Sequence, residues 1–200
     1  EIENYKKEYM IKNPQINRKT LDDDFSNEEK FYNKRMEVKE ELIKNSGILS
    51  LSKTKKSIPM WSHYSKNHQG LVFELDVKED YNFFRTFGLV DYVEDYEILS
   101  LSKFGNEELN DIFTTKYRDW KYEKELRIID YNKNGNRKFK KKLLKTIYFG
   151  CKATEINIKH IIQLCQINGF SHVIYKKAKL ISGKFEFDFD EINKNDYLES

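Results

Sequence analysis

The chain has 200 residues, of which 38% are hydrophobic, 34% charged and 14% aromatic, with a formal net charge of +3. That is enough for one well-buried core, too aromatic for a disordered chain, and too mildly basic to imply nucleic acid by charge alone. The two cysteines, Cys151 and Cys165, make neither a disulfide framework nor a Cys-x-x-Cys ligand pair, and a reducing, cytoplasmic compartment is expected.

No apolar run approaches the roughly 18 residues of a membrane span, and no signal-peptide core is visible, so no membrane is expected. Nothing before Phe31 reads as a core strand, and the polar stretch through Asp22, Asp23 and Asp24 reads as loop. Because the chain opens on Glu1, it is read as a single domain over 1–200 that lacks an upstream segment.

Ser26-Asn27-Glu28-Glu29 has the form of a capping box. It predicts a helix to about Asn45, with Phe31, Met36, Val38, Leu42 and Ile43 on its apolar side and Gly47 as its stop. Ile48 to Ser52 reads as a short strand. Ser57 and Pro59 predict a helix start, running through Tyr64. Leu71 to Val77 alternates as a one-sided strand, and Leu89 to Val93 reads as another.

Asn106 predicts a helix to about Lys116. Tyr122 to Ile129 and Leu143 to Phe149 read as strands, separated by an Asn- and Gly-rich turn at Asn132 to Asn136. Thr154 caps a helix whose Ile158, Ile161, Ile162 and Cys165 recur at helical spacing, with Gly169 as its stop. Val173 to Tyr175 and Lys184 to Phe189 complete the strands. These elements do not alternate as βαβ units, and several strands are one-sided. An α+β fold is expected, a largely antiparallel sheet with three to four packed helices. The hexapeptide Ile-Leu-Ser-Leu-Ser-Lys occurs at 48–53 and 98–103 with unrelated flanks, and reads as recurrence in a biased composition.

Polar and aromatic chemistry concentrates in two segments. In Trp61 to Gly70, His63 and His68 are two of four histidines, each suited to acid, base or ligand work. The bland alternative has Trp61 and Tyr64 anchoring the helix and each His bonded to backbone. No third ligand accompanies the pair, so no metal is expected. In Trp120 to Arg127, strand alternation puts Glu123, Glu125 and Arg127 on one face. That set reads either as a catalytic constellation or as an exposed salt-bridged ladder of little energetic value. A third feature is a basic hairpin with Lys138, Lys140, Lys141 and Lys142, a solvated face or a contact for nucleic-acid phosphates.

Gly47 to Ser52, Met60-Trp61-Ser62-His63-Tyr64 through Glu74, Lys116, Trp120 to Arg127 and Ile147-Tyr148-Phe149-Gly150 together resemble the bacterial domain of unknown function 2971 family. The family name carries no activity. Ser50-Leu51-Ser52 on one strand and Glu123-Lys124-Glu125 entering a later one also resemble the Ser-x-Ser and Glu-x-Glu motifs of mono-ADP-ribosyltransferases. That resemblance implies NAD as substrate. It gives Ser50 and Ser52 a bracing role, Trp61 or Tyr64 a stacking role on nicotinamide, Glu125 the role of stabilising an oxocarbenium-like state, and Glu123 that of orienting the acceptor. His63, His68 and Arg127 would line the same site. The first-strand Arg or His of such enzymes is expected upstream of this chain.

Three readings follow. One is an ADP-ribosyltransferase-like enzyme, a toxin or phage-defence effector with a macromolecular target. Another is a nuclease-type effector using His63, His68 and Glu125 with the basic hairpin. The third is a non-catalytic binding module.

Overall fold

The computed structural model describes residues 2–12, 14–24, 28–95, 106–131 and 133–198. Six α-helices are described: α1 (Ile2–Lys12), α2 (Arg18–Asp24), α3 (Glu28–Asn45), α4 (Ile58–Tyr64), α5 (Asn106–Thr114) and α6 (Glu155–Ile167). Nine strands are described: β1 (Gly47–Ser52), β2 (Leu71–Leu75), β3 (Phe87–Leu89), β4 (Asp91–Val93), β5 (Thr115–Tyr117), β6 (Glu125–Asp130), β7 (Leu144–Phe149), β8 (Ile174–Leu180) and β9 (Phe187–Ile192).

The class is α+β. Four of the six strand pairings described are antiparallel. The strands divide among three sheets, ordered β1-β6-β3, β2-β7-β8-β9 and β4-β5.

The larger sheet forms around β7. Its residues 146–149 are buried on both faces, as an internal strand covered above and below requires. Ile147 and Phe149 meet Ile158 and Ile162 of α6, while Tyr148 points the other way, into Trp61, Ala178 and Phe187. Helix α6 is the crossover that makes β7 and β8 parallel. Thr154 caps it by accepting the Asn157 amide at 3.3 Å, and Gly169 follows its end at φ +77°, the left-handed turn that favours glycine. Gly150 sits where the chain passes the turn after α4: a Cβ there would lie 2.0 Å from the His68 carbonyl oxygen.

The smaller sheet pairs β6 with β1 on one side and β3 on the other. Helix α5 closes over it, bringing Leu109 and Phe113 onto Ile129, with Leu42 of α3 at the margin.

Several boundaries differ from expectation. Residues 2–12 and 18–24 are helical rather than loop. Asn17 accepts the Lys19 amide at 2.9 Å, a helix-starting bond, and Leu21 is buried. The strand expected through Val77 ends at Leu75, because Asp76 caps a 3-10 turn over Val77–Glu79. Leu89 to Val93 is two strands in two sheets, with buried Val90 at the step between them. Helix α5 stops at Thr114, and 115–117 extend as β5. The Ser26 cap and the second hexapeptide copy lie outside the described residues.

The expected basic hairpin is a crossover. Strands β6 and β7 belong to different sheets, so the segment between them carries the chain from one to the other. Lys140 anchors it through its backbone amide on Asp80 at 3.0 Å. Lys141 donates to the Asn168 carbonyl at 2.7 Å.

Candidate active site

Strands β1 and β6 run antiparallel, with Ser50 opposite Arg127 and Ser52 opposite Glu125. Cross-strand neighbours point to the same side of a sheet. These four side chains therefore share one face, and apolar Leu49, Leu51, Leu126 and Ile128 take the other. Helix α5 covers the polar face closely: a Cβ on Gly88 of β3 would lie 2.7 Å from Thr114 Cγ2.

Glu125 opens β6 and is 6% exposed. Its Oε1 accepts from Arg127 Nε at 2.8 Å, and its Oε2 from Arg127 Nη2 and Lys116 Nζ, both at 3.1 Å. Ser50, on the same face, also favours the charged form of the carboxylate. Burial pushes this carboxyl up, but Arg127, Ser50 and Lys116 together outweigh burial and hold it at about 2, so it is ionised at neutral pH. Its backbone amide donates to the Tyr92 hydroxyl at 2.8 Å. Arg127 reaches on to the Phe113 carbonyl, in the last turn of α5, where carbonyls lack helical partners and a cation is favourable.

Glu123 reaches the same site by a different route. It ends a 3-10 helix over Arg118–Glu123, and Lys124 then takes a left-handed conformation at φ 47°, ψ 47° before β6 begins. The expectation that Glu123 lies on the strand with Glu125 is therefore corrected. The turn brings its carboxylate round to Lys116 instead. The Ser52 hydroxyl donates to the Glu123 carbonyl at 2.6 Å, fixing that turn. The Glu123 side chain is 3% exposed; its Oε1 accepts the Tyr64 hydroxyl at 2.7 Å, and its Oε2 pairs with Lys116.

Lys116 bridges the two carboxylates. Burial works against its charge, and Glu123 and Glu125 reverse that and raise its pKa. Buried Glu123 and Glu125 with half-buried Lys116 and Arg127 form a charge-neutral set, the condition under which ionised groups are tolerated out of water. The hydrogen bond to Glu123, with burial behind it, raises the pKa of Tyr64.

The two segments singled out in the sequence adjoin through Tyr64 and Glu123. Beside that bond runs a row of aromatic rings. Tyr64, His63, Trp120 and Tyr122 follow one another at centroid spacings of 6.3, 6.4 and 6.1 Å. Tyr64 is 64% and Trp120 37% exposed, and Lys116 Nζ lies 5.0 Å from the Trp120 ring centre.

Two expected site residues face elsewhere. Trp61 is 2% exposed, its indole N–H donates to the Lys55 carbonyl at 2.7 Å, and its ring packs on Phe187 and Phe189. It is a core anchor with no free face for a ligand. His68 meets Ser62 Oγ through Nε2 at 2.8 Å and lies against Phe187. Burial, with Lys152 nearby, lowers its pKa. Its positive φ of 68° belongs to the turn before β2.

The structure assembles Ser50, Ser52, Tyr64, Glu123, Glu125 and Arg127, with His63 at the margin, and sets Trp61 and His68 on the core side. No group of His, Cys, Asp or Glu suited to a metal ion occurs among the described residues, and none of their helices is long and apolar enough to cross a membrane. Two residues of the network carried no role in the sequence reading. Lys116 is one; its place in the quoted family pattern, ahead of Trp120, was the available signal. Tyr92 is the other, and no local pattern distinguishes it.

No curated protein and no solved structure matches this chain. The family described as "Protein of unknown function (DUF2971)" matches residues 60–128. That stretch holds Tyr64, Lys116, Glu123, Glu125 and Arg127, so the segment that builds most of this network is the part of the chain that is similar to that family.

Proposed function

We propose that this protein is an ADP-ribosyltransferase-like enzyme that uses NAD as substrate and works in the cytoplasm on a macromolecular acceptor, as a toxin or phage-defence effector would. One observation carries the reading. The Ser50-Leu51-Ser52 strand lies directly against the strand that opens with Glu125; Ser50 shares the face of the Glu125 carboxylate and favours its ionised form, and Ser52 holds the Glu123 backbone. A bracing Ser-x-Ser beside a Glu-x-Glu is the relation that the motif resemblance implies.

The chemistry asked of the site is cleavage of the nicotinamide–ribose bond. The bonding pair leaves with nicotinamide, and positive charge develops at the anomeric carbon. A fixed, ionised carboxylate stabilises that charge most effectively when its position costs no reorganisation. Glu125 meets both conditions, being anionic at neutral pH and tied by Arg127 and Lys116. Lys116 is shared between the two carboxylates, so its shift toward Glu123 leaves Glu125 Oε2 with Arg127 alone and opens a lone pair to a ribose hydroxyl. Tyr64, exposed and tethered by its hydroxyl, takes the stacking role in place of buried Trp61. An acceptor nucleophile closes the new bond at the anomeric carbon and gives its proton to Glu123 or to solvent.

The test is nicotinamide release from NAD by the full chain, with and without cell extract as the source of acceptor. Release is expected in the wild type and abolished in Glu125→Gln. Unchanged release in that variant, or none from the wild type under either condition, overturns the proposal.

A further inference from the structure

The rim of the carboxylate site carries chemistry that NAD cleavage does not use. Lys53, Lys121 and Lys124 are exposed, and none of them has an ion pair among the described residues. They are neighbours by backbone geometry: the Lys53 amide donates to the Lys124 carbonyl at 3.0 Å, and the Lys124 amide to the Lys121 carbonyl at 3.2 Å. Asp119 is the exposed acid in the same 3-10 helix, whose other acid, Glu123, is buried in the site. Because the four charges of the paired site cancel, the rim remains net cationic.

Alongside these lysines lies the aromatic row that includes Tyr64, His63 and Trp120. Its spacings of 6.1–6.4 Å exceed the separation of stacked bases, and its planes are tilted by 35–72° to one another. Each ring is therefore presented separately. Such a row suits a strand whose bases are splayed apart, and it is longer than one dinucleotide needs. Phosphate-binding cations beside exposed rings are how proteins hold single-stranded nucleic acid, the rings taking base faces and the cations the backbone.

We infer that this rim binds single-stranded nucleic acid, and that such a strand is the class of acceptor delivered to Glu123 and Glu125. The acceptor role rests on the transferase reading; the binding does not.

The experiment is fluorescence anisotropy of a labelled 12-nucleotide single strand, DNA and RNA in turn, titrated with the full chain at several salt concentrations and without NAD. Each phosphate contact contributes about 0.7 to the log–log salt slope for single strands. Changing Lys53, Lys121 and Lys124 together to Gln, which spares the fold because all three side chains are in solvent, is expected to flatten the slope by about 2. Trp120→Ala is expected to weaken binding roughly tenfold at unchanged slope, since a base–ring contact carries no net charge; Trp120→Phe keeps most of the affinity. A duplex of equal length binds more weakly, its bases being occupied.

Absence of binding overturns the proposal. So does equal affinity for duplex and single strand with Trp120→Ala neutral, and so does loss of binding on changing Lys138, Lys140 and Lys142 but not the rim. Nicotinamide release without strand binding sinks this inference alone. Strand binding without nicotinamide release sinks the transferase reading alone.

Discussion

Strands β6 and β7 have six residues each and each lies between two partners in its sheet, yet they are held by different physics. Ile147, Tyr148 and Phe149 of β7 are 1–3% exposed and meet apolar groups on both faces. Strand β6 buries Ile128 and Ile129 just as fully but opens on Glu125, a charge kept at 6% exposure by two cations and a serine. Apolar burial stabilises at roughly 1.5–3 kcal/mol per large side chain. A buried ion pair returns little net stability, because desolvation consumes most of the Coulombic gain. The β7 side therefore keeps the protein folded, and the β6 opening spends its interactions on holding two carboxylates in place.

The largest expected effect lies on the β7 side. Phe149→Ala removes a side chain 2% exposed between α6 and Tyr175, and a cost of about 3–5 kcal/mol is expected. Urea unfolding followed by circular dichroism measures it. A loss below about 1 kcal/mol would mean that this sheet is not close-packed and would erase the contrast drawn above.

Glu125→Gln comes next, and for the opposite reason. It leaves Arg127 and Lys116 with one carboxylate fewer in a buried setting, and breaking such a set costs about 3 kcal/mol. Its acid response separates it from a packing defect. The Glu125 carboxyl sits at about 2 in the folded protein, against an ordinary 4.5. Its contribution is complete above pH 4.5 and is lost as pH falls from there toward 2, an amount of about 3 kcal/mol. Wild-type stability should decline through that window more steeply than that of Glu125→Gln. Parallel curves for the two proteins would show that the carboxylate is not depressed by its partners.

Legibility in the sequence follows the same division. Helix α6 was readable because its signals are local: Thr154 before it, Gly169 after it, and apolar residues at helical spacing between them. Strand β7 was readable because a run of large apolar residues has few other uses. The site was half readable. Glu125 and Arg127 follow from alternation along one strand, Ser50 and Ser52 were implied by the Ser-x-Ser resemblance, and Glu123 was rightly grouped with them for the wrong geometric reason. Lys124 breaks the alternation with a left-handed backbone, and a Lys gives no warning of that as a Gly would. Trp61 was ambiguous because a tryptophan in a polar motif serves equally as a stacking surface or as a core plug, and only its partners Phe187 and Phe189, far along the chain, decide. The crossover mistaken for a hairpin fails on the same ground: strand partners are set by distant sequence, so two flanking strands need not pair with each other.

The smallest expected effect sharpens the comparison most, because the same modest loss can be placed in either region. Thr154→Ala removes the α6 cap, a bond at 3.3 Å to the Asn157 amide, at about 1 kcal/mol. Ser50→Ala removes a hydroxyl from an exposed strand position on the face of the Glu125 carboxylate, whose ionised form it favours, also at about 1 kcal/mol. Melting temperatures should therefore fall by similar small amounts. Nicotinamide release should not. Under the transferase reading Glu125 keeps Arg127 and Lys116 in the Ser50 variant, so it stays ionised, but it loses its polar neighbour on the β1 side. A carboxylate free to follow Arg127 away from the reacting carbon loses part of its stabilisation there, and a drop of tenfold or more in kcat is expected from misplacement alone. Thr154→Ala leaves that geometry untouched and should keep its rate. Equal rates in the two variants, at equal melting temperatures, would reduce the Ser-x-Ser strand to a sheet rung and remove the observation on which the proposed activity stands.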